Sequence, residues 1–131
     1  MLRFAIVCFV SVLGLSGTAL AADPVIGLWK TERDRKDLIS HVQIYACQDK
    51  FCGRVEAAFD YEGRQVHTKN VGRALFWDVE ALGGGKYGNG TVFVPLLNIK
   101  AKASLELSGN KLKVTGCKAG VCDGQVWTRI R

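Results

Sequence analysis

The chain has 131 residues, enough for one small domain, and a formal net charge of +6 at neutral pH. Its two prolines and its balance of 18 basic and 12 acidic residues argue against a disordered protein. The basic residues are scattered, which favours lysines and arginines on exposed strand faces. The alternative is a basic patch that steers the protein toward anionic lipid headgroups, cell-wall polymers or acidic ligands. No nucleic-acid partner is expected.

The first 21 residues have the pattern of an export signal. Arg3 precedes an apolar run at residues 4–15, and Ala19-Leu20-Ala21 supplies the small residues of a cleavage site. We therefore expect a signal peptide at residues 1–21 and a mature domain at 22–131, in the periplasm or secreted. No later segment approaches the roughly 20 apolar residues of a transmembrane helix, so stable membrane insertion is not expected.

Apolar and polar residues alternate with a period of two along most of the mature chain, which indicates half-buried strands. The clearest case is IKAKASLEL at 99–107, where every second residue is apolar. About eight strands are predicted, near residues 26–33, 40–47, 52–59, 73–80, 91–97, 99–107, 111–117 and 122–130.

Turn residues separate these strands at short intervals. Ser108-Gly109-Asn110 predicts a hairpin connection, and GGGKYGNG at 83–90 predicts a longer flexible one that ends in a tight Asn89-Gly90 turn. Residues 60–71 are expected to form a long polar loop. No helix of convincing length is predicted.

Many short antiparallel strands leave exposed edges, and a small domain removes them most economically by closing the sheet. The predicted fold is therefore all-β, an antiparallel up-and-down β-barrel of about eight strands. The interior of such a barrel can be filled by side chains or can hold one small ligand.

The mature chain has four cysteines in two copies of the spacing C-x4-C. The spacing is unusual for a structural zinc site and differs from the C-x-x-C redox motif. An exported chain with an even number of cysteines favours disulfides. Residues that flank a four-residue hairpin loop lie opposite each other, so local pairing is the simplest of three connectivities: Cys47 with Cys52 and Cys117 with Cys122.

A G-x-W motif near the mature start and a W-x-R motif at the end of the chain resemble the lipocalin-like barrels. In those barrels, the tryptophan closes the base and a basic side chain from the last strand lies across its ring. The resemblance implies barrel closure by Gly27, Trp29, Trp127 and Arg129.

Further motifs resemble a family of small exported bacterial proteins known as DUF2147. They are G-x-W-x-T at 27–31, C-x4-C-G at 47–53, G-x-[VIF]-x-x-P at 90–95, Gly-Cys at 116–117, and C-x4-W-x-R at 122–129. The resemblance covers nearly the whole mature chain. It implies a lipocalin-like barrel in an exported protein and no established reaction.

Aromatic residues on or beside the middle strands are the candidate ligand-binding residues: Tyr45, Trp77, Tyr87 and Phe93. They can line a cavity, although most aromatics in a small barrel are ordinary core. Phe76 and Trp77 are adjacent, so they must point to opposite faces of their strand.

Signals for catalysis are weak. His41 and His67 have no third metal ligand near them in sequence, and no G-x-S-x-G motif is present. We therefore expect no catalytic residue, metal or cofactor, and no enzyme. The predicted function is non-catalytic binding of a small apolar or amphipathic ligand in the cell envelope. The alternative is a protein-interaction module, such as a hydrolase inhibitor, that uses rim loops at Lys50-Phe51 and 83–90.

Overall fold

The computed structural model describes residues 23–131, and the signal peptide expected at 1–21 lies outside this range. The described residues form nine strands and no helix. The strands are β1 (Gly27–Lys30), β2 (Ile39–Cys47), β3 (Lys50–Phe59), β4 (Gln65–Val66), β5 (Ala74–Gly83), β6 (Lys86–Val94), β7 (Ile99–Ser108), β8 (Lys111–Lys118) and β9 (Val121–Arg129).

Eight of these strands close into an antiparallel barrel. Apart from β4, each strand pairs with the next one along the chain, so that β3 pairs with β5, and the first strand pairs with both β2 and β9. At the closure, Trp29 lies opposite Val42 on one side and Arg129 on the other. Strand β4 only extends the edge of β3 beside the barrel. The predicted all-β barrel of about eight strands is therefore confirmed.

The period of two decides which side chains fill the barrel. On β7, Ala101, Ala103 and Leu105 are buried, whereas Lys100 and Lys102 between them are exposed. The same rule on the other strands fills the interior with apolar side chains. The largest fully buried ones are Trp29, Phe51, Phe76, Ile44, Leu112, Val25, Val42 and Val79.

The connection at 83–90 differs from its prediction. Strand β5 continues to Gly83 and β6 begins at Lys86, so a tight turn at Gly84-Gly85 replaces the long flexible loop. Both turn glycines have positive φ, 64° and 78°, which suits this two-residue hairpin. Asn89-Gly90 lies inside β6 and forms no turn. Asn89 adopts a φ of 61° where the pairing between β6 and β7 is irregular.

Because the strands alternate in direction, the connections gather at two opposite ends of the barrel. We call one the closed end; it carries the β2–β3, β5–β6 and β7–β8 turns and residues 23–26. The other, the loop end, carries the longer connections at 31–38 and 60–73 and the turns at 95–98 and 119–120.

Candidate binding surfaces

The closed end is built around Trp29. Its ring is fully buried, and its Nε1 donates a hydrogen bond to the Val25 carbonyl oxygen at 2.9 Å. The Arg129 guanidinium lies 4.3 Å from the ring centre and donates to the Ile26 carbonyl oxygen at 3.1 Å. It also donates to the carbonyl oxygen of Pro24. The first and last strands are thus joined by a cation–π contact and by hydrogen bonds to residues 23–26.

Gly27 is required at this closure. Its φ is 150°, and a Cβ there would approach Arg129 Nη1 to 2.7 Å and the backbone of Arg131 even more closely. No L-amino acid side chain fits between the start of β1 and the C-terminal residues without moving one of them. The glycine of the G-x-W motif therefore lets the arginine reach the tryptophan.

Tyr87 is the only one of the four aromatic candidates inside the described barrel core. Its hydroxyl donates to Asp23 Oδ1 at 2.5 Å, and its ring packs edge-on against Phe51 with centroids 5.6 Å apart. Burial, followed by the hydrogen bond to Asp23, raises the pKa of the phenol. The polar group of Tyr87 is therefore engaged with the segment that covers the closed end.

Trp127 lies inside the barrel on β9, opposite Leu112. Its Nε1 donates to Gln125 Oε1 at 3.0 Å, and its ring centre lies 6.4 Å from that of Phe76. It fills the lumen and does not contact the Arg129 guanidinium in the way that Trp29 does.

The structure contains both local disulfides, one at each end of the barrel. Cys117 and Cys122 lie directly opposite each other, with Cα atoms 4.1 Å apart. Cys47 and Cys52 are offset, with Cα atoms 5.7 Å apart, because Cys47 pairs with Lys50. The expected four-residue loops are wrong, since in each hairpin only two residues lie outside the strands. Residues with positive φ, such as Gln48 and Ala119, make these turns tight.

The other three aromatic candidates lie on the outside of the barrel, each beneath a cation. Arg54 lies 5.5 Å from the centre of the Tyr45 ring, Arg73 lies 4.3 Å from that of Phe93, and Lys100 lies 5.6 Å from that of Trp77. The expectation that these aromatics line one cavity with Tyr87 is therefore wrong. The physical reason is strand alternation: their neighbours Ile44, Val92 and Phe76 occupy the inward positions.

The rim loops considered for a protein partner expose no aromatic side chain. Phe51 is fully buried in the core, and Tyr87 is buried as well. Lys50 Nζ lies 3.5 Å from Glu80 Oε1, in an ion pair between the neighbouring strands β3 and β5. The expectation of a rim loop at Lys50-Phe51 is wrong, because both residues lie within β3 and Phe51 faces the core.

Two grooves lie on the outer wall formed by β6, β7 and β8. The first, of about 350 Å³, is nearer the closed end and is lined by Leu82, Lys86, Ser104, Glu106, Lys113 and Thr115, among others. The second, of about 420 Å³, is nearer the loop end and is lined by Thr91, Lys100, Lys102, Cys117 and Lys118, among others. We call them the leucine groove and the lysine groove. Sequence reasoning missed both because their residues resemble an ordinary solvent-exposed strand face.

The described residues offer no metal site. Between residues 23 and 131, no group of three or more His, Cys, Asp or Glu side chains is placed to bind a metal ion. The His41 ring packs against Phe59 at a tilt of 42°, with ring centres 4.4 Å apart, and burial, with Lys30 and Arg131 nearby, lowers the pKa of His41. His67 is exposed in the loop that follows β4. The same part of the chain contains no helix long and apolar enough to cross a membrane.

Comparison with known proteins agrees with this architecture. One similar solved structure is described as "Protein HP1028 from the human pathogen Helicobacter pylori belongs to the lipocalin family". It is 17% identical, with a TM-score of 0.64 over 81% of this chain and 82% of that chain, and at this identity the likeness concerns the fold. No functionally curated protein matches the sequence. The family profile described as "Uncharacterized protein conserved in bacteria (DUF2147)" matches residues 27–129, so the chain belongs to the DUF2147 family and has a lipocalin-like fold.

Proposed function

We propose that the protein is an exported, non-catalytic binding protein for a small amphipathic molecule with an anionic group. The molecule binds on the outer wall of β6–β8 and leaves the lumen undisturbed. The observation that carries this proposal is the position of the two grooves outside a barrel whose interior is filled by apolar side chains.

The packing of the lumen opposes an interior ligand. Trp29, Phe51 and Phe76 are fully buried in one continuous core, so a ligand there would have to displace them. Small-molecule sites are usually concavities of about 300–1,000 Å³. The leucine groove and the lysine groove have volumes of about 350 and 420 Å³ and are open on one side, so a ligand bound there stays partly in water.

The chemistry of the two grooves supports an amphipathic ligand. The ammonium groups of Lys100, Lys102 and Lys118 border the lysine groove and suit a phosphate or carboxylate headgroup. In the leucine groove, Leu82 is 56% exposed and provides an apolar contact. The two grooves share three strands, and their centres lie about four residues, or about 13 Å, apart along a strand. A molecule with an anionic head and a short apolar chain can therefore contact both.

The proposed compartment is the periplasm or the exterior of the cell. The signal-like sequence at 1–21 supports export, and the two disulfides are stable where the surroundings are oxidising. The lipocalin-like fold, which is associated with ligand binding, supports a non-catalytic role.

The proposal is tested by titrating the isotope-labelled protein with decyl phosphate below its micelle concentration. Amide shifts are expected at Thr91, Lys102 and Thr115 on the outer wall, and the side-chain methyl groups of Val42, Ile44 and Leu112 in the core should stay unchanged. The double variant K100Q/K102Q is expected to weaken binding about tenfold or more, since each lysine contributes a charge-assisted contact. The control R33Q/R35Q removes the same charge from a loop-end connection and should leave binding unchanged.

Shifts concentrated at the core methyl groups, with the K100Q/K102Q variant binding normally, would place the ligand in the lumen and end the proposal. Native mass spectrometry of protein purified from its own envelope supplies an independent check. Extra mass that is lost on denaturation, and is absent from K100Q/K102Q, is the expected result.

A further inference from the structure

The net positive charge of the described chain comes entirely from three neighbouring strands. Between Lys86 and Lys118, the segment that contains β6, β7 and β8, the sequence has six lysines and one acidic residue, Glu106. Elsewhere in 23–131, eleven basic side chains face eleven acidic ones. The lysines that are scattered in the sequence are therefore gathered on one side of the barrel.

All six lysines are exposed. The alternation of β6, β7 and β8 directs five of them away from the core, and Lys118 is exposed as the last residue of β8 at the loop end. We call this surface the basic face; it comprises Lys86, Lys100, Lys102, Lys111, Lys113 and Lys118. None of the four ion pairs found within residues 23–131 involves one of them. Glu106 lies opposite Lys86 and Lys113, and Asp78 and Asp123 are on the flanking strands. The lysines near the loop end thus face no acidic side chain in register with them.

Apolar side chains border the basic face. Seven large hydrophobic residues are exposed among residues 23–131, and five of them lie around this surface. Leu96, Leu97 and Val121 are 44%, 61% and 73% exposed at the turns of the loop end. Val126, on β9, lies opposite Lys113, and Leu82 lines the leucine groove near the closed end.

We propose that the basic face docks on the surface of an anionic lipid bilayer, with Leu96, Leu97 and Val121 entering the headgroup region. Lysines near an anionic surface are attracted to it, and exposed apolar side chains gain free energy only where they leave water. A soluble polyanion would use the lysines and leave the leucines in water. The combination of charge and apolar border therefore favours a bilayer.

This docking goes beyond the proposed function, which concerns one ligand molecule in two grooves. Docking uses the whole face and an assembled lipid surface. The groove proposal and the docking proposal can be tested separately, because binding of decyl phosphate below its micelle concentration is measured without vesicles. Vesicle binding that persists in a protein unable to bind decyl phosphate would leave the docking intact while the groove proposal fails.

The docking is tested with the disulfide-intact mature protein and sedimented vesicles. Vesicles made of equal parts phosphatidylglycerol and phosphatidylcholine are expected to bind the protein, and binding should fall steeply as salt rises. Pure phosphatidylcholine vesicles should bind it at least about tenfold less. Equal binding to both kinds of vesicle overturns the proposal.

The triple variant K100Q/K102Q/K118Q is expected to lose at least about tenfold in anionic-vesicle binding, since one lysine near a charged surface contributes about fivefold. The matched control R33Q/R35Q/K36Q removes three exposed charges from the connection at 31–38. It should change binding by less than about twofold. A control that loses as much as the test variant would show a response to net charge alone and would overturn the assignment to this face.

The apolar border is tested with L96S/L97S, which changes two exposed residues and leaves every lysine in place. We expect a several-fold loss of binding to anionic vesicles and unchanged binding to dextran sulfate, a soluble polyanion. Unchanged vesicle binding by L96S/L97S would show that the leucines stay in water and would overturn the proposal that the apolar border enters the headgroup region.

Discussion

The two ends of the barrel use their polar and apolar groups in opposite ways. At the closed end, a buried tryptophan, an arginine and a tyrosine all make hydrogen bonds, and residues 23–26 cover them. At the loop end, Leu97 and Val121 are exposed beside unpaired lysines. The polar groups of the closed end thus stabilise the fold, whereas the exposed lysines and apolar side chains of the loop end make few contacts within it.

This difference separates residues that hold the barrel together from residues available to a ligand or a surface. If this separation is correct, substitutions in the buried closed end should lower the free energy of unfolding by several kcal/mol, and substitutions on the outer wall should lower it by about 1 kcal/mol or less. The predictions below test this separation in order of decreasing effect.

Trp29→Ala is expected to have the largest effect, a loss of about 3–5 kcal/mol in the free energy of unfolding. The substitution leaves a cavity, removes the donor to the Val25 carbonyl and removes the ring beneath Arg129. Urea denaturation followed by circular dichroism measures it. Trp77→Ala, which removes the same side chain from the outer wall, should cost about 1 kcal/mol or less. Equal losses would contradict the difference between core and wall.

Removing either disulfide is expected to cost about 2 kcal/mol, because each closes a ring of six residues. The C47S/C52S variant changes the closed end and C117S/C122S changes the loop end. Both variants should remain folded, since the closed core is independent of the hairpin turns. Thermal unfolding of the two variants gives a direct comparison. Unfolding of either variant at room temperature would mean that the hairpin turns carry far more of the stability than their ring size allows.

Tyr87→Phe is expected to cost about 1 kcal/mol, because the Asp23 carboxylate loses its buried donor. The raised pKa of Tyr87 also makes stability depend on alkaline pH. The contribution of the neutral phenol is fully present below about pH 10, the ordinary value, and is lost as the pH rises toward the folded-state pKa. The variant should therefore flatten the alkaline part of a stability profile. If Tyr87→Phe leaves the alkaline part of the stability profile unchanged, Tyr87 does not cause the loss of stability at high pH.

Much of the closed end could be predicted from the sequence. Alternation and turn residues indicate the barrel strands, and the G-x-W and W-x-R motifs pair Trp29 with Arg129 through the lipocalin resemblance. The outward orientation of Tyr45 could also be predicted from the sequence, because Tyr45 directly follows Ile44, an apolar residue on the core side of the same strand.

The basic face was harder to find because it forms only when three strands are placed side by side. A count of charges by segment shows the excess of lysine between 86 and 118, but it cannot say that those residues share one surface. The turn at 84–85 also depends on how two strands pair, which the sequence does not show directly. Three successive glycines permit several turns, and the pairing of Gly83 with Lys86 selects one.

The smallest predicted effects concern the cations on the outer wall. Arg73→Gln should cost about 0.5–1 kcal/mol, because Arg73 covers Phe93, which is 9% exposed, at 4.3 Å. Lys100→Gln should cost about 0.5 kcal/mol or less, since Lys100 is exposed and lies 5.6 Å from the Trp77 ring. Urea denaturation of both variants measures the two values.

The result for Lys100→Gln decides how the binding experiments are interpreted. A variant with unchanged stability and weakened vesicle binding assigns Lys100 to contact with the partner. A loss well above 1 kcal/mol would instead make Lys100 part of the structural framework, and the division between a stabilising closed end and an available outer wall would fail at that residue.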